Sequence, residues 1–361
     1  MKVGILTFHR AENFGAVLQA YALQTFLGTL GFSAQIIDYR CKGIEEQYQI
    51  FSPSVLFKRK NIFASLKIYF SRLNNIDERM RKKKAYALFR RNYLKLSRRV
   101  TSRSLCDYEA YVAGSDQVWN TFLTGGIDDF YFLNKKFMIG SKKISYAASC
   151  EEYNYKSFST NENNVLNQFD HMDGVSVREK KFAEILGPLI KKDVNVNIDP
   201  TFLLSPNEYL KIAKKPKEKN YILVYHLVES KESSRIACSL AENGQRIIEI
   251  HAGYNGGHQK DHLYSLGPTE LLGYIAYADS VVTTSFHGLA LSLIFHKKVV
   301  VVDARNNARL KSLLDFFNLK FLLVSDESQL HMEMVDFEKV DEMISTEKKK
   351  TKKYFEDVLK V

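Results

Sequence analysis

The sequence predicts an α/β fold made of two lobes with a cleft between them, and three observations support this prediction. The chain has 361 residues, a length that suits two domains better than one core. Short β-branched runs recur along it without polar alternation, as in parallel strands that are buried on both faces. Helical patterns separate these runs, and such alternation is typical of doubly wound, Rossmann-like sheets.

The predicted strands form two groups, which are separated by a polar stretch with a proline, "AKKPKEKN", at 213–220. This stretch predicts a boundary between an N-terminal lobe, residues 1–213, and a C-terminal lobe, residues 214–334. Residues 335–361 have a helical pattern, and we expect this segment to pack back on the first lobe. The runs that predict strands are 3–8, 35–39, 110–114, 143–148, 174–177, 194–198, 221–225, 246–251, 280–284, 298–302 and 320–324.

The positive charge of the chain is concentrated in one segment. The whole chain carries a formal charge of +11, but residues 58–103 hold 16 Lys and Arg against two acids, and the remainder is nearly neutral. We therefore predict a basic helical insert over 55–103 in the first lobe. A local contact with an anion is favoured over a general nucleic-acid coat, and no nucleic-acid partner is expected.

Cysteine usage and hydropathy predict a cytoplasmic protein. The four cysteines form no CxxC pair, which disfavours structural zinc and fits a reducing compartment. The N-terminal run "MKVGILTF" is typical of a first strand and not of a signal peptide. No apolar run approaches the roughly 20 residues that a membrane-spanning helix needs.

The first candidate site is the loop after the first predicted strand, within "TFHRAENFGAVLQ". His9, Arg10, Asn13 and Gly15 lie on this loop, and a helix is predicted to start near Gly15. Ligands of open α/β sheets bind at the carboxyl ends of strands, and free amides at a helix start favour anions or sugar hydroxyls. The alternative is that residues 13–15 only cap the helix.

A second candidate site follows the strand in "YVAGSDQVWN". Ser115, Asp116 and Gln117 come directly after this strand, where Asp116 is placed to accept a proton or orient a hydroxyl. The alternative for Asp116 is an N-cap. Arg178 ends another strand, in "VSVRE", and predicts either an anion clamp or a surface ion pair.

The strongest signal is "VVTTSFHGLA", residues 281–290. A buried strand ends in hydroxyl residues, His287 follows, and the next run, "GLALSLIF", predicts an apolar, buried helix. Ser285 and His287 thus lie near the positive end of a helix, where amides hold an anion while an imidazole donates a proton. The alternative is a core histidine that is bonded to a carbonyl.

Two arginines follow the next predicted strand, in "DARNNARLKSLL". Arg305 and Arg309 are four residues apart, and on a helix they would share one face. Beside His287 they would suit a small, highly charged anion. The alternative is that both arginines are ordinary surface residues of a helix and bind no ligand.

Two further patterns have weaker functional signals. His251, His258 and His262 are separated by glycines and lack a recognised ligand motif, so no metal is expected. Residues 58–73 have an apolar helical stripe, with basic residues largely elsewhere. This helix is predicted either to contact an anionic membrane surface or to dock on the first lobe.

Seven motifs occur along the chain in one order, namely "NFGAVLQAYAL", "GSDQVWN", "SYAAS", "VSVRE", "IDPTFLL", "VVTTSFHG" and "ARNNAR". Together they resemble the polysaccharide pyruvyl transferase family through nearly the whole chain, except for the basic insert. The resemblance implies two Rossmann-like lobes arranged as in glycosyltransferases of the B type. It also implies transfer of pyruvate from phosphoenolpyruvate to a sugar as a cyclic ketal, in the assembly of bacterial capsule, exopolysaccharide or cell-wall glycan, often on a lipid-linked precursor.

The resemblance also implies roles for the candidate residues. His287 would be the general acid or a cation that binds phosphate, and Asp116 is the second catalytic candidate. No metal or cofactor is implied beyond phosphoenolpyruvate as the donor substrate. The candidate substrate-binding residues are Arg178, Ser285, Arg305, Arg309, His9, Asn13, Gly15, Ser115 and Gln117.

One position departs from the family pattern. Some members have a basic residue two positions before the histidine, whereas this chain has Ser285. One donor-binding charge is then either missing or supplied elsewhere, by Arg305 or Arg309, and the identity of the donor stays open. Two alternatives are therefore kept: a sugar-nucleotide glycosyltransferase with the same lobes, and a non-catalytic protein that binds a membrane surface through 58–103.

Overall fold

The computed structural model describes residues 1–49, 75–101, 107–242, 244–253, 261–304, 307–330 and 334–359. Within these residues, the strands of the first half are β1 Lys2–Leu6, β2 Ser33–Tyr39, β3 Leu96–Val100, β4 Ala110–Ala113, β5 Lys142–Ser145, β6 Val175–Val177 and β7 Val194–Val196. Those of the second half are β8 Tyr221–His226, β9 Arg246–His251, β10 His262–Leu263, β11 Ser280–Thr283, β12 Lys298–Val302 and β13 Leu323–Val324.

Helices separate most of these strands in the chain. They are α1 Phe14–Thr29, α2 Lys42–Tyr48, α3 Ile76–Tyr93, α4 Thr121–Thr124, α5 Glu152–Ser159, α6 Lys180–Ile190, α7 Pro206–Leu210, α8 Lys231–Leu240, α9 Pro268–Tyr277, α10 Phe286–Ile294, α11 Ala308–Phe316 and α12 Phe337–Leu359.

Two parallel sheets organise the fold. The first has the strand order β3-β2-β1-β4-β5, and the second has the order β10-β9-β8-β11-β12-β13. The short pair β6-β7 continues the first sheet, because single bridges join Ile144 to Gly174 and Ala148 to Val177. The predicted α/β fold with two Rossmann-like lobes is confirmed.

The two lobes share one apolar core. Residues of β1, such as Val3 and Ile5, belong to the same buried cluster as Leu223 of β8 and Val281 of β11. Helix α1 connects the two lobes through this cluster, because the ring centroid of Phe14 lies 5.8 Å from that of Tyr225. The amino end of α1 is thereby held against the second lobe.

The last helix, α12, contacts both lobes. Near its amino end, Asp341 lies 3.1 Å from the Nε2 atom of His296 in the second lobe. Near its carboxyl end, the Tyr354 hydroxyl donates to the carbonyl of Ser145 at 2.8 Å, and the ring of Phe355 stacks on Tyr146. The helix therefore packs against both lobes and links them.

The structure corrects the prediction that residues 55–103 form a helical insert. Strand β3 lies inside this range and forms the edge of the first sheet, where Leu96 pairs with Ile36 and Val100 with Tyr39. Helix α3 packs on the core through buried Tyr86 and Phe89. The predicted helix at 58–73 lies outside the described residues.

Several strands are shorter than the apolar runs that predicted them. The run 143–148 leaves the sheet after Ser145, because Ala147 has a left-handed backbone with φ of 45°. The run 320–324 begins with a 3₁₀ turn, Lys320–Leu322, before the short strand β13. Among the described residues, no helix is long and apolar enough to cross a membrane.

Candidate active site

A cavity of about 830 Å³ lies between the two lobes. The first lobe contributes the carboxyl-end segments of β6 and β7, the second contributes the starts of α10 and α11, and α12 contributes part of the wall. Charged side chains of both signs surround an apolar patch. The lining residues that matter for the site are Glu151, Arg178, Asp199, Phe286, Arg309, Glu347 and Lys350.

His287 lies in the first turn of α10, beside this cavity. Ser285 caps the helix by accepting a hydrogen bond from the amide of Gly288 at 3.2 Å. The Nε2 atom of His287 lies 3.8 Å from Oδ2 of Asp199. This buried nitrogen has no hydrogen-bond partner among the described residues. A polar atom in this position is available to a ligand.

The opposite edge of the imidazole lies against Gly15 at the start of α1. A Cβ atom at Gly15 would overlap Nδ1 and the neighbouring ring carbons of His287. Glycine is therefore needed here because the two lobes approach each other closely. This contact brings together the predicted loop site of the first lobe and the histidine of the second.

Asp199 is the functional candidate that the sequence reasoning missed. Its Oδ2 atom accepts a hydrogen bond from Nη1 of Arg178 at 2.7 Å. Its Oδ1 atom accepts from the amide and the hydroxyl of Thr201, at 2.9 and 2.6 Å. Burial alone would raise the pKa of this carboxyl, but His287, Arg178 and the Thr201 hydrogen bonds outweigh burial and lower the pKa. The motif "IDPTFLL" was the available signal.

Arg178 lines the cavity and is held in place by internal partners. Its Nε atom donates to Glu179 at 3.0 Å, and its Nη2 atom donates to the Ser149 hydroxyl at 3.1 Å. The guanidinium lies 4.6 Å from the ring centroid of Phe286. Arg178 thus brings a fixed positive charge next to His287.

Arg309 reaches across the cleft from α11. Its Nη2 atom lies 3.0 Å from the carboxylate of Glu151 in the first lobe. The buried Nε atom contacts no acceptor in the described part of the chain. Helix α11 begins at Ala308, which places Arg309 in its first turn, and the helical face shared with Arg305 stays a prediction. Arg305 itself lies outside the described residues.

Burial sets the protonation of His287. It lowers the pKa of the imidazole below the usual 6.5, and this effect is opposed by Asp199 and Asp116. Arg178 and Arg309 add to the lowering. The imidazole is therefore mainly neutral at pH 7, and a bound anion would raise its pKa and favour the proton.

The other predicted residues of the first lobe have internal hydrogen bonds. Asn13 caps α1 by accepting from the amide of Ala16 at 3.2 Å, and Ser115 donates to the Ala147 carbonyl at 2.9 Å. Gln117 donates to Glu151 at 2.9 Å. His9 is buried between the carbonyl of Thr7 and the carboxylate of Asp38.

Asp116 differs from these residues because its side chain is partly exposed near His287. Its backbone is left-handed, with φ of 73°, and Oδ1 accepts only a local hydrogen bond from the amide of Gln117 at 2.9 Å among the described hydrogen bonds. The negative charge of Asp116 raises the pKa of His287, which places the carboxylate within electrostatic reach of the imidazole. Asp116 is therefore the predicted catalytic carboxylate that the fold brings toward His287.

A basic cluster lies on the first-lobe side of the cleft, and the sequence did not single it out. It contains Arg79, Lys82, Lys83 and Arg90, which lie near Glu12, while Arg10 lies near Arg90. Lys82 donates to the carbonyl of Ala252 in the second lobe at 2.5 Å. Arg90 is buried, and its Nε and Nη1 atoms contact no acceptor among the described residues.

Comparison with known families identifies a long match. A family model described as polysaccharide pyruvyl transferase matches residues 13–306, which include His287, Asp116 and Asp199. No curated protein matches the chain significantly.

Solved structures match the architecture of the chain at low sequence identity. UDP-GlcNAc 2-epimerase from Neisseria meningitidis bound to UDP-GlcNAc has a TM-score of 0.50 at 10% identity, with 99% of this chain and 94% of that chain covered. The glycosyltransferase SnogD from Streptomyces nogalater has a TM-score of 0.40 at 9% identity, with 100% and 98% covered. The E. coli heptosyltransferase WaaC with ADP-2-deoxy-2-fluoro heptose has a TM-score of 0.38 at 11% identity, with 84% and 88% covered. The predicted two-lobed arrangement of B-type glycosyltransferases is thereby confirmed as the fold.

Proposed function

The chain belongs to the polysaccharide pyruvyl transferase family, and we propose that it transfers pyruvate from phosphoenolpyruvate to two hydroxyls of a sugar. The product is a pyruvate ketal on a bacterial surface polysaccharide, such as capsule or exopolysaccharide, or on its lipid-linked precursor. One observation carries the proposal beyond the family. His287 Nε2 and Arg309 Nε are buried nitrogens without partners among the described residues. Arg309 lines the cavity between the lobes, and so does Asp199, whose Oδ2 atom lies 3.8 Å from His287 Nε2. The anionic oxygens of phosphoenolpyruvate would satisfy both nitrogens.

His287 is the proposed general acid. Its proton goes to the methylene carbon of phosphoenolpyruvate, and a sugar hydroxyl adds to the adjacent carbon and loses its own proton. Asp116 is the proposed acceptor of that proton, because its partly exposed carboxylate lies within electrostatic reach of His287. The bond between that carbon and the phosphate oxygen then breaks, and phosphate leaves with the proton held by Asp116. The second hydroxyl adds to the same carbon and gives its proton to His287, which closes the ketal and restores both residues.

Arg178 can supply positive charge to the donor, although this chain has Ser285 where some family members have a basic residue. Ser285 is occupied as the cap of α10, so it supplies helix geometry and no charge. The guanidinium of Arg178 over Phe286 brings positive charge to the same turn. We propose that Arg178 and Arg309 together hold the phosphate and carboxylate of the donor, with Arg305 as a further candidate.

The basic cluster supports an acceptor that carries its own negative charge. The Nε and Nη1 atoms of buried Arg90 have no acceptor among the described residues, and the sequence from 50 to 74 contains no acidic residue. A diphosphate that links the sugar to a carrier would satisfy Arg90 and its basic neighbours. This supports a lipid-linked acceptor, used at the cytoplasmic face of the membrane.

We expect Arg90→Met to raise KM for a diphosphate-linked acceptor by about 10–100-fold, because a hydrogen bond to a charged group contributes about 1.5–3 kcal/mol. KM for the corresponding free sugar and kcat should change little. Steady-state phosphate release with both acceptors measures the difference. Arg91→Met is the matched control, because Arg91 is exposed on the same helix. Equal effects of the two substitutions would contradict an acceptor role for Arg90.

The donor is tested by thermal denaturation of the protein with phosphoenolpyruvate, phosphate, UDP or GDP. A ligand at about 100 times its Kd should stabilise the fold by about 2.7 kcal/mol, which corresponds to a rise of several degrees in Tm. We expect this rise with phosphoenolpyruvate, and a rise of at least about half this size in His287→Ala, because Arg178 and Arg309 still hold the donor. Stabilisation by a nucleoside diphosphate alone would contradict the proposal and favour a sugar-nucleotide glycosyltransferase.

A further inference from the structure

The second lobe contains a cluster of three histidines and two glutamates that the proposed reaction does not use. Its members are His226, Glu229, Glu249, His251 and His262. Glu249 and His251 are two residues apart on β9, so their side chains lie on one face of the sheet. Strand register places His226 opposite His251 and His262 opposite Glu249, on that same face.

We propose that this cluster is a binding site for a divalent transition metal, with zinc as the best match. The ligand atoms would be His251 Nε2, His262 Nδ1 and Glu249 Oε2. The two nitrogens are 2.9 Å apart, and they lie 3.8 and 3.9 Å from the carboxylate oxygen. Tetrahedral zinc with bonds of about 2.0–2.2 Å separates its ligands by about 3.3–3.5 Å, so small side-chain shifts would close the site.

The surrounding hydrogen bonds have the pattern of a second coordination shell. Glu229 lies 2.8 Å from Nδ1 of His251 and fixes the proton on that nitrogen, which leaves the lone pair on Nε2. His226 Nε2 lies 2.8 Å from the Glu249 carboxylate and orients it. Metal-binding histidines and carboxylates are commonly oriented in this way.

The charge balance also favours a cation. The carboxylates of Glu229 and Glu249 form ion pairs with imidazoles alone in the described part of the chain. The two carboxylates bring two negative charges to the cluster, and Glu249 is largely buried. A divalent ion would neutralise both charges.

The cluster is open on one side and connected to the candidate active site on the other. The side chains of His262 and Glu229 are 21% and 40% exposed, so solvent reaches the site and leaves a coordination position free. The Thr284 hydroxyl accepts from the amides of Leu227 and Val228 at 3.1 Å. This hydroxyl ties the turn after His226 to the turn that begins the helix of His287, so the metal would stiffen both.

Sequence spacing alone did not reveal this ligand set, and no metal was expected from the three histidines. Only His251 and His262 of those three are described, and the structure adds Glu249 and the supporting pair His226 and Glu229. His226 on β8 and His262 on β10 flank β9, so only the parallel register brings them to Glu249 and His251.

The test is zinc binding to the full-length protein without a histidine tag, after dialysis against a chelator. We expect calorimetric titration to give one site per chain, and His262→Ala and Glu249→Gln each to weaken binding at least tenfold. His262→Ala changes a partly exposed side chain, so the fold should persist, and circular dichroism checks this. His296→Ala is the matched control, because this exposed histidine pairs with Asp341 and belongs to neither group of possible ligands.

Cobalt(II) provides a second readout that does not depend on activity. An intense visible absorption band of four-coordinate cobalt is expected in the wild-type protein and in His296→Ala, and its loss is expected in His262→Ala. Zinc binding that is equal in wild type and His262→Ala would overturn the proposal. So would the absence of any zinc binding, and the cluster would then be a network of hydrogen bonds only.

Discussion

Replacement of His287 by glutamine is expected to lower kcat by about 10²–10⁴-fold, the usual contribution of a positioned general acid. The ring lies at the start of α10 with Nε2 free of described partners, so its loss removes a proton donor and little else. If His287 acts as the acid, KM for phosphoenolpyruvate should change less than tenfold. Phosphate release under saturating donor and acceptor measures kcat, and a donor titration measures KM.

The pH dependence separates this role from simple phosphate binding. Burial lowers the pKa of His287 below 6.5, so the protonated form needed for catalysis disappears as pH rises through that value. In wild type, kcat/KM should therefore fall with rising pH from a pKa below 6.5, and this limb should be absent in His287→Gln. A rise in KM with unchanged kcat would instead assign His287 to phosphate binding. His296→Ala is the control and should behave as wild type.

Gly15→Ala is expected to reduce kcat by about 100-fold, although the substitution favours the helix in which it lies. Alanine is a better helix former than glycine, although the interior preference of about 0.5–1 kcal/mol applies only in part at the second residue of α1. The added Cβ atom, however, would overlap the His287 ring, so either the ring or the start of α1 must move. A displacement of about 1 Å at a reacting group costs on the order of 100-fold in rate.

A matched substitution in the same helix isolates the contact. Gly28→Ala also lies in α1, and a Cβ atom there meets nothing within 4 Å, so activity should be unchanged. Urea unfolding of Gly15→Ala, His287→Ala and the double variant should give a coupling of about 1–3 kcal/mol, because removal of the ring relieves the overlap. A coupling near zero, or full activity of Gly15→Ala, would show that the two residues are not in contact.

The fold was predictable because its signals are local. Continuous β-branched runs and the helical patterns between them identify parallel strands without knowledge of their neighbours. The start of α1 at Phe14 and that of α10 at Phe286 both follow a side chain that caps the helix, Asn13 and Ser285. Strand ends were less predictable. The regular strand stops before Ala147, whose left-handed φ angle cannot be predicted from an alanine side chain.

The site was less predictable because its contacts join distant parts of the chain. His287 was recognisable from its position after a strand, but its neighbours Gly15 and Asp199 come from the other lobe. The spacing of Arg305 and Arg309 suggested a shared helical face, and the structure describes only Arg309, in the first turn of α11. Arg90 carried no sequence signal, because one arginine in a basic segment resembles the others until burial distinguishes it.

The shared apolar core has a consequence for how the protein denatures and moves. Each lobe has a buried apolar cluster of its own, but Phe14 and one large cluster span both sheets, so separation of the halves would expose apolar surface of both. The chain should melt in a single cooperative transition, and a fragment cut at the linker near residue 213 should not persist as a folded module. Substrate entry must then rely on side chains and short loops at the rim, since wide separation of the halves would expose the cluster to water.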